Sequence, residues 1–224
     1  MSLLHMNDLT DAELLDVSRR LEDRPAAAII EWAVESFHPH LCLTASMTDA
    51  VLIDLAVQVE PSIEVVFIDT GYHFPETLDT VESVRRLYGL NLRVMTALRQ
   101  DEEAWKVDPE NCCSAIKMGQ LDRALAGKQA WMSGLRRAEA PTRANAPIVH
   151  RDLRGLVKVN PIAMWSDLDV AGYIRDHNIP VNPLVNQGYP SIGCMPCTHP
   201  VEEGADPRSG RWAGRDKTEC GIHL

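Results

Sequence analysis

The sequence contains no uninterrupted apolar run of roughly 18 residues, the length from which a membrane-spanning helix is inferred. Its beginning, MSLLHMNDLTDAELLD, carries acids where a secretory signal has a cationic region and then an apolar block. Positive charge is also scarce, because 22 Lys and Arg face 32 Asp and Glu for a net charge of −10. We therefore expect a soluble cytoplasmic protein that binds neither nucleic acid nor membranes through bulk charge.

The chain has 224 residues, of which 45% are hydrophobic, and this predicts one ordinary globular domain. A chain of this length buries roughly 70–75% of the surface that its unfolded form exposes, so it needs no disulfide to hold a core. Six cysteines are nevertheless present. In a reducing compartment, cysteines at short spacings more often bind metal or do chemistry than form disulfides.

Charge is unevenly distributed along the chain. Residues 1–110 hold 8 Lys and Arg against 21 Asp and Glu, for a net charge of −13, whereas residues 111–224 hold 14 against 11, for +3. Within 134–160, six cations stand among only two acids. This segment is either a local anion site or a solvated basic face.

Strand and helix patterns alternate along the chain and predict an open, mostly parallel α/β sheet with flanking helices. Thr10-Asp-Ala-Glu13 has the pattern of a capping box before a first helix, and a second helix is expected from Pro25. The predicted strands are 41–45, 63–71, 91–97, 129–135 and 155–162. The further predicted helices are 49–59, 75–88, 112–126 and 166–177.

We treat residues 1–224 as a single domain in three parts: N-terminal helices (1–40), an α/β core (41–177) and a C-terminal segment (178–224). The last part is rich in Pro and Gly and has no periodicity. It is long for an unstructured tail, so it is either disordered or ordered by something bound.

Four of the cysteines form two pairs, Cys112-Cys113 and Cys194-Met-Pro-Cys197. Such a set indicates a four-thiolate zinc site or an iron–sulfur cluster. Adjacent residues project in different directions, which is awkward for one tetrahedral ion, whereas a cuboidal cluster offers each thiolate its own iron. We therefore favour a [4Fe–4S] cluster over zinc or four unrelated thiols. Lys117, five residues after Cys112, is placed to offset the cluster's negative charge.

Three predicted strands are each followed by residues suited to binding an anion. Ser46-Met-Thr-Asp49 is a turn before a helix, Asp69-Thr70-Gly71 ends the second strand, and Gly134-Leu-Arg136-Arg137 follows the fourth, with Arg143 after it. Helix N-termini and Arg side chains both bind phosphate or sulfate. Ligands of open α/β sheets bind at the carboxyl ends of strands, so the three motifs together indicate a nucleotide-like ligand.

Cys220 lies in Lys217-Thr-Glu-Cys-Gly-Ile-His223, where no packed core is expected. It is either an incidental exposed thiol or a nucleophile whose thiolate is favoured by nearby cations, among them Arg211 and Lys217. His223 is placed to assist. Cys42, inside an apolar strand, is assigned to the core.

In this order the residues resemble the assimilatory sulfonucleotide reductases, specifically the bacterial adenylylsulfate (APS) reductases, from about Leu41 to His223. The motifs are Ser46-x-x-Asp49, Ile68-Asp-Thr-Gly71, Cys112-Cys113, Gly134-Leu-Arg-Arg137, Cys194-x-x-Cys197 and Glu219-Cys-Gly-x-His223. Relatives that use 3′-phosphoadenylylsulfate (PAPS) typically lack the paired cysteines. The resemblance to the APS branch rests on that pair.

The resemblance implies an adenine nucleotide α-hydrolase-like fold of the PP-loop type and one [4Fe–4S] cluster on Cys112, Cys113, Cys194 and Cys197. It implies that Cys220 attacks the sulfur of APS and expels AMP, and that reduced thioredoxin, or a glutaredoxin-like donor, releases sulfite. Residues 178–224 would then be a cluster-binding segment plus a mobile catalytic tail, which closes Cys220 over the nucleotide and opens for thioredoxin. The residues assigned to substrate binding are Ser46, Asp49, Asp69, Thr70, Gly71, Gly134, Arg136, Arg137, Arg143, Arg211, Lys217 and His223. The number of chains per assembly, homo-oligomers included, stays open.

The sequence departs from the family pattern at two places, and three other functions are considered beside this one. Ser114 and Ile116 stand where relatives often carry basic residues, and Ala-Glu-Ala follows Arg137 where many have a polar run. The rivals are a PAPS reductase that keeps the cluster, an ATP-using nucleotide transferase of the same fold, and a zinc-ribbon binding module. The transferases usually carry an S-G-G-x-D-S turn, which this chain replaces with Ser46-Met-Thr-Asp-Ala50.

Overall fold

Six strands form one sheet in a computed structural model that describes residues 9–96, 104–107, 112, 117–213 and 219. The strands are β1 (Leu41–Ala45), β2 (Glu64–Asp69), β3 (Asn91–Thr96), β4 (Ala130–Ser133), β5 (Val149–Arg151) and β6 (Val157–Val159). Their order across the sheet is β3-β2-β1-β4-β6-β5. Every neighbouring pair is parallel except β5 with β6, so the predicted mostly parallel α/β sheet is confirmed.

Helices flank this sheet, and local sequence signals define several of their ends. They are α1 (Asp11–Leu21), α2 (Ala26–Phe37), α3 (Val51–Val59), α4 (Pro75–Tyr88), α5 (Ala104–Val107), α6 (Gly119–Leu125) and α7 (Asp167–His177). The capping box of α1 is confirmed, because Thr10 Oγ1 accepts from Glu13 N at 3.3 Å while Thr10 N donates to Glu13 Oε2 at 2.7 Å. Gly89 ends α4 in the left-handed conformation that glycine adopts readily. Among the described residues, no helix has the length and apolar character needed to cross a membrane.

The central strands are buried on both faces, as parallel strands in α/β proteins usually are. Leu43 of β1 and Phe67 of β2 belong to a large cluster with apolar residues of α1 to α4. Cys42 and Val66 project to the other face and pack with residues of α6. The alternation of the strand residues thus divides the core into two layers, one on each side of the sheet.

Several predicted boundaries were wrong, and one strand was missed. The strands predicted at 63–71, 129–135 and 155–162 are shorter in the structure, because the residues at their ends turn away from the ladder. In the helix predicted from residue 112, the described residues Cys112, Lys117 and Met118 lie in wider, π-type helical turns, and the α-helical part begins at Gly119. β5 has only three residues, too few to show a period, and its pairing with β6 is a tertiary event.

Residues 178–213 contain little regular structure but pack against the rest of the chain. They form the short 3-10 turns Pro183–Gln187 and Met195–Cys197 and two isolated bridges, Asp49 with Val181 and Thr198 with Arg211. Leu184 and Ile192 form a small apolar cluster with Phe74, which precedes α4. Residues 178–213 therefore pack on the α/β core.

Candidate active site

Three of the predicted motifs follow strands that end at the same edge of the sheet. β1 is parallel to β2 and to β4, so the 46–49 turn, the 69–71 loop and the 134–137 segment share that edge. The strand order reverses at this point, because β2 and β3 lie on one side of β1 while β4 and β6 lie on the other. The crevice between the ends of β1 and β4 is therefore the candidate ligand site.

The 46–49 turn combines an exposed hydroxyl with a largely buried carboxylate. Ser46 is exposed, whereas Asp49 Oδ1 accepts a hydrogen bond from Val51 N at 3.0 Å at the start of α3. Met47 has a φ of 61°, which is uncommon for a residue with a side chain. Burial raises the pKa of Asp49, opposed by the Val51 hydrogen bond and the charge of Arg136. That opposition links the turn electrostatically to the segment that follows β4.

Asn182 holds this turn in place and was not identified from the sequence. It is fully buried, and its Nδ2 donates to Met47 O at 3.3 Å and to Thr77 Oγ1 at 3.0 Å. Its backbone N–H donates to Thr48 O at 2.9 Å. The only local signal is Asn before Pro183, which is typical of a turn and does not predict a buried amide.

The 69–71 loop joins the end of β2 to the cysteine turn. Asp69 Oδ1 accepts from Gly71 N at 2.8 Å, and the φ of 73° at Gly71 favours glycine. Thr70 is buried, and its Oγ1 lies 3.2 Å from Cys194 Sγ. The hydroxyl assigned to substrate binding from the sequence therefore contacts a cysteine assigned to metal binding.

Three of the four paired cysteines line one partly open cavity. Cys194 and Cys197 flank a short turn that is attached to the end of β2, because Met195 N donates to Tyr72 O at 2.7 Å. Cys112 lines the same cavity. The other lining residues are Thr70, Tyr72, Trp105, Lys117, Pro196, Arg211 and Trp212.

The types of side chain that line this cavity are those of an iron–sulfur site. Thiolates are the usual ligands of such clusters, and hydrogen-bond donors and cations near the sulfurs stabilise them. Thr70, Lys117 and Arg211 are groups of that kind in the cavity. The fourth predicted ligand, Cys113, lies outside the described residues, as do Ser114 and Ile116. Within the described ranges, no group of three His, Cys, Asp or Glu side chains could hold a metal ion.

Arg211 and Trp212 are attached to the cysteine turn through the backbone. Trp212 N donates to Cys197 O at 3.0 Å. The Arg211 guanidinium lies 4.4 Å from the centroid of the Trp212 ring, and its Nη1 donates to Ile192 O at 3.3 Å. Arg211, predicted from the sequence as a substrate contact, is thus a wall of the cysteine cavity.

The three arginines after β4 are each paired with carboxylates. Arg136 Nη1 lies 2.8 Å from Asp167 Oδ1, and Arg137 Nη2 lies 3.1 Å from Glu22 Oε2. Arg143 contacts Glu139. The predicted anion site therefore contains acids that balance its cations, and a bound anion would have to share or displace them.

Arg143 forms a second pair with Glu219, and this pair is buried. Arg143 Nε donates to Glu219 Oε1 at 2.8 Å, and Nη2 donates to Oε2 at 2.7 Å. Arg208 Nη2 lies 3.1 Å from Oε2, and Thr142 Oγ1 lies 3.2 Å from Oε1. Burial acts to raise the pKa of Glu219, but Arg143, Arg208 and Thr142 outweigh it, so the pKa is below its ordinary value.

Glu219 is the residue before the predicted nucleophile, and the sequence motif that contains it assigns it no role. Its position beside Cys220 was the available signal. Cys220, Lys217 and His223 lie outside the described residues.

Cys42 occupies the core, as predicted. It is fully buried among apolar residues, and burial raises the pKa of its thiol to about 12. At neutral pH it is therefore protonated and unsuited to act as a nucleophile.

Most of the chain matches proteins that act on sulfonucleotides. Its relatives include proteins named adenosine 5'-phosphosulfate reductase. That of Streptomyces coelicolor is 48% identical over 92% of this chain and 91% of its own length. That of Rhodococcus opacus is 44% identical over 97% and 98%, respectively.

Solved structures of similar fold agree with the observed topology. A phosphoadenylyl-sulfate (PAPS) reductase from Candida auris, solved as a phosphate complex, is 26% identical with a TM-score of 0.76, over 87% of this chain and 98% of that one. An FMN adenylyltransferase from Candida glabrata is only 13% identical, with a TM-score of 0.61 over 96% and 82%, and shares the fold alone. Residues 40–200 match the family model described as the phosphoadenosine phosphosulfate reductase domain, and the chain belongs to that family.

Proposed function

We propose that this protein reduces adenosine 5'-phosphosulfate to sulfite and AMP in sulfate assimilation, with Cys220 as the nucleophile. The similarity to adenosine 5'-phosphosulfate reductases over nearly the whole chain supports the substrate. The observation that carries the proposal is the buried bond between Glu219 and Arg143. It ties the residue before Cys220 to the loop that follows β4, beside the crevice where the nucleotide motifs meet.

In the first step, the Cys220 thiolate attacks the sulfur of the sulfo group. The bond between that sulfur and the phosphate oxygen breaks, and AMP leaves with the electron pair. The product is an S-sulfocysteine on Cys220. A thiolate of reduced thioredoxin then attacks Cys220 Sγ and sulfite leaves with the electron pair. A second thioredoxin thiol resolves the mixed disulfide, so the donor is oxidised and Cys220 is restored.

An anionic nucleophile that attacks a sulfo anion requires nearby positive charge. Arg143 and Arg208 supply it close to Glu219, and Arg136 and Arg137 supply it after β4. The carboxylates paired with these arginines hold the guanidinium groups in position before substrate binds. Preorganised cations need not reorient during the reaction, which is the condition under which electrostatic catalysis is most effective.

The hydroxyl and N–H groups around the 46–49 turn and the 69–71 loop support nucleotide binding at the switch point. The exposed Ser46 hydroxyl is available to a phosphate oxygen. Asp49 and Asp69 are acceptors suited to ribose hydroxyls or the adenine amino group. Lys217 and His223, from the tail, complete the proposed substrate set.

Cys112, Cys113, Cys194 and Cys197 are the residues that would hold a [4Fe–4S] cluster. A bound cluster would supply iron–thiolate bonds to these four residues. The Thr70 hydroxyl lies 3.2 Å from Cys194 Sγ, and Lys117 and Arg211 would offset negative charge in the same cavity. The reactive thiols require a reducing compartment, so we propose the cytoplasm and thioredoxin as the electron donor.

The nucleophile is tested by mass spectrometry of protein mixed with APS in the absence of reductant. We expect one sulfo group on the wild-type chain, mapped to the peptide containing Cys220, and none on Cys220→Ser. Cys42→Ala removes a different thiol and is expected to be labelled like the wild type. A sulfo group on Cys220→Ser would refute the assignment, and labelling by PAPS but not APS would identify a PAPS reductase.

The cluster is tested by iron and sulfide analysis of protein purified without oxygen. We expect about four irons per chain, one for each cysteine ligand, and a brown protein. Cys194→Ser is expected to lose most of the iron while Cys42→Ala retains it. A colourless wild-type protein that contains zinc would contradict the proposal.

A further inference from the structure

Glu219 is a buried carboxylate with hydrogen-bond donors on both of its oxygens. It is only 8% exposed, and Arg143, its bidentate partner, is 7% exposed. Donors from Thr142, Arg143 and Arg208 converge on its two oxygens. Parallel bonds from one guanidinium fix both the distance and the angle of a carboxylate, and a lysine could not reproduce that geometry.

Arg143 is linked to the segment that follows β4. It ends the short 3-10 turn Pro141–Arg143, and its backbone N–H donates to Ala140 O at 2.9 Å. Its Nη1 also contacts Glu139, which pairs with Arg136 at 3.7 Å between Oε1 and Nε. A chain of ion pairs thus connects Glu219 to the segment directly after β4.

Glu219 is the chain neighbour of the proposed nucleophile. Consecutive Cα atoms are about 3.8 Å apart across a trans peptide, so an anchor on Glu219 limits how far from Arg143 the next residue can lie. A nucleophile must lie within a few tenths of an ångström of its productive position, because misplacement by about 1 Å reduces a rate by as much as about a hundredfold. An ion pair on the residue next to the nucleophile is therefore suited to restrict where that nucleophile lies.

We propose that Glu219 is a positioning residue whose ion pair with Arg143 and Arg208 anchors Cys220 for attack on the sulfo group. This inference rests on the proposed function, because it assumes that Cys220 is the nucleophile. It differs from the alternative in which Glu219 only occupies an anion site until substrate displaces it. In that alternative, loss of the carboxylate would free two arginines and strengthen anion binding.

The test compares Glu219→Gln with the wild type in a single turnover. We expect the rate of sulfo transfer to Cys220 at saturating APS to fall by about tenfold to a hundredfold, while the dissociation constant of AMP stays within about twofold. Glu219→Asp retains the charge and is expected to keep more of the rate than Glu219→Gln. Glu82→Gln, which removes an exposed ion pair with Arg85 on α4, is the matched control and is expected to react like the wild type.

Three results would contradict the positioning role or the function on which it rests. A wild-type labelling rate in Glu219→Gln, or tighter AMP binding without a slower rate, would overturn the positioning role. A slower rate in Glu219→Gln that is explained by a lower melting temperature would also overturn it. Glu219→Asp keeps the carboxylate, so its rate at the same temperature separates the effect of the charge from that of stability. If the wild-type chain is not labelled on Cys220, the proposed function fails first, and the two failures are distinguishable.

Discussion

At the scale of single residues, one buried amide joins three segments around the candidate site. Asn182 connects the 46–49 turn, the start of α4 and the returning C-terminal segment through its side chain and backbone. Met47, with its left-handed backbone, is one of the groups that it holds. The shape of the turn in the candidate site thus depends on a residue more than 130 positions away in the chain.

Replacing Asn182 by alanine is expected to destabilise the protein by about 1–3 kcal/mol, because Thr77 and the backbone of the turn lose buried partners. Urea unfolding monitored by fluorescence measures this. Asn91→Ala removes an exposed hydrogen bond to Ser62 O and is the control, expected to cost less than about 0.5 kcal/mol. Equal costs for the two variants would show that Asn182 has no special role.

His150 makes stability depend on pH. Burial, followed by the charge of Lys158, lowers the pKa of His150 to about 4, whereas Asp152 acts in the opposite direction. In the unfolded chain the imidazole titrates near about 6.5. Between these values the unfolded chain binds a proton that the folded chain does not, so the free energy of unfolding falls as the pH decreases.

The contribution of His150 to the free energy of unfolding is therefore complete above about pH 6.5 and lost by about pH 4. Its size is at most about 3 kcal/mol before solvent screening. His150→Gln is expected to lose less stability over this window than the wild type, measured by chemical unfolding at several pH values. His40→Gln, at an exposed position, is the control and should leave the pH dependence as it is in the wild type. Parallel curves for wild type and His150→Gln would contradict this.

At the scale of elements, the 208–212 turn shows how the cysteine cavity is closed. A Cβ on Gly210 would lie 2.2 Å from His199 O and 2.8 Å from Val201 Cγ2. Only glycine allows this approach, which brings Trp212 N to Cys197 O. The predictions from sequence were weakest here, because the pairing of two irregular segments leaves no periodic pattern.

Gly210→Ala is expected to push the 208–212 turn away from the cysteine turn, because the clash is with backbone atoms that cannot rotate aside. We expect a lower melting temperature and a reduced iron content per chain. Gly172→Ala lies within α7, where an added Cβ meets nothing closer than 3.9 Å, and is expected to be neutral or stabilising by up to about 1 kcal/mol. An unchanged iron content in Gly210→Ala would contradict the prediction.

At the scale of the whole molecule, part of the uneven charge along the chain is used in ion pairs between its two halves. Acids from the first half pair with cations from the second: Asp11 with Arg151, Glu22 with Arg137, and Glu64 with Lys128. The positive second half therefore serves both tertiary pairing and the proposed anion chemistry. Charge counts along the sequence could not separate the two uses.

The helix α1 also covers the edge of the sheet. Val149 N of β5 donates to Ser18 Oγ of α1 at 3.2 Å, and Leu14 is buried in the core. Deleting residues 1–22 is expected to expose the β5 edge and to increase self-association relative to the full chain. Size-exclusion chromatography with light scattering measures this.

Leu14→Ala is the control for that deletion. It is expected to cost about 2–5 kcal/mol in the free energy of unfolding while leaving the edge covered. Its assembly state should therefore match that of the full chain. If the deletion variant elutes as the full chain does, α1 has no protective role.

Much of this protein was determined by its sequence alone. Short apolar runs and helix caps depend only on neighbouring residues. The alternation of strands and helices that they define predicted the parallel sheet, and with it the edge of the sheet at which the three anion-binding motifs lie. Only the tertiary structure decided which partners those residues take. Arg143 was recognised as a cation, but its bond to Glu219 spans 76 positions and depends on how the last segment packs on the loop after β4. Long-range pairing carries no local period, so no pattern in the sequence could assign it.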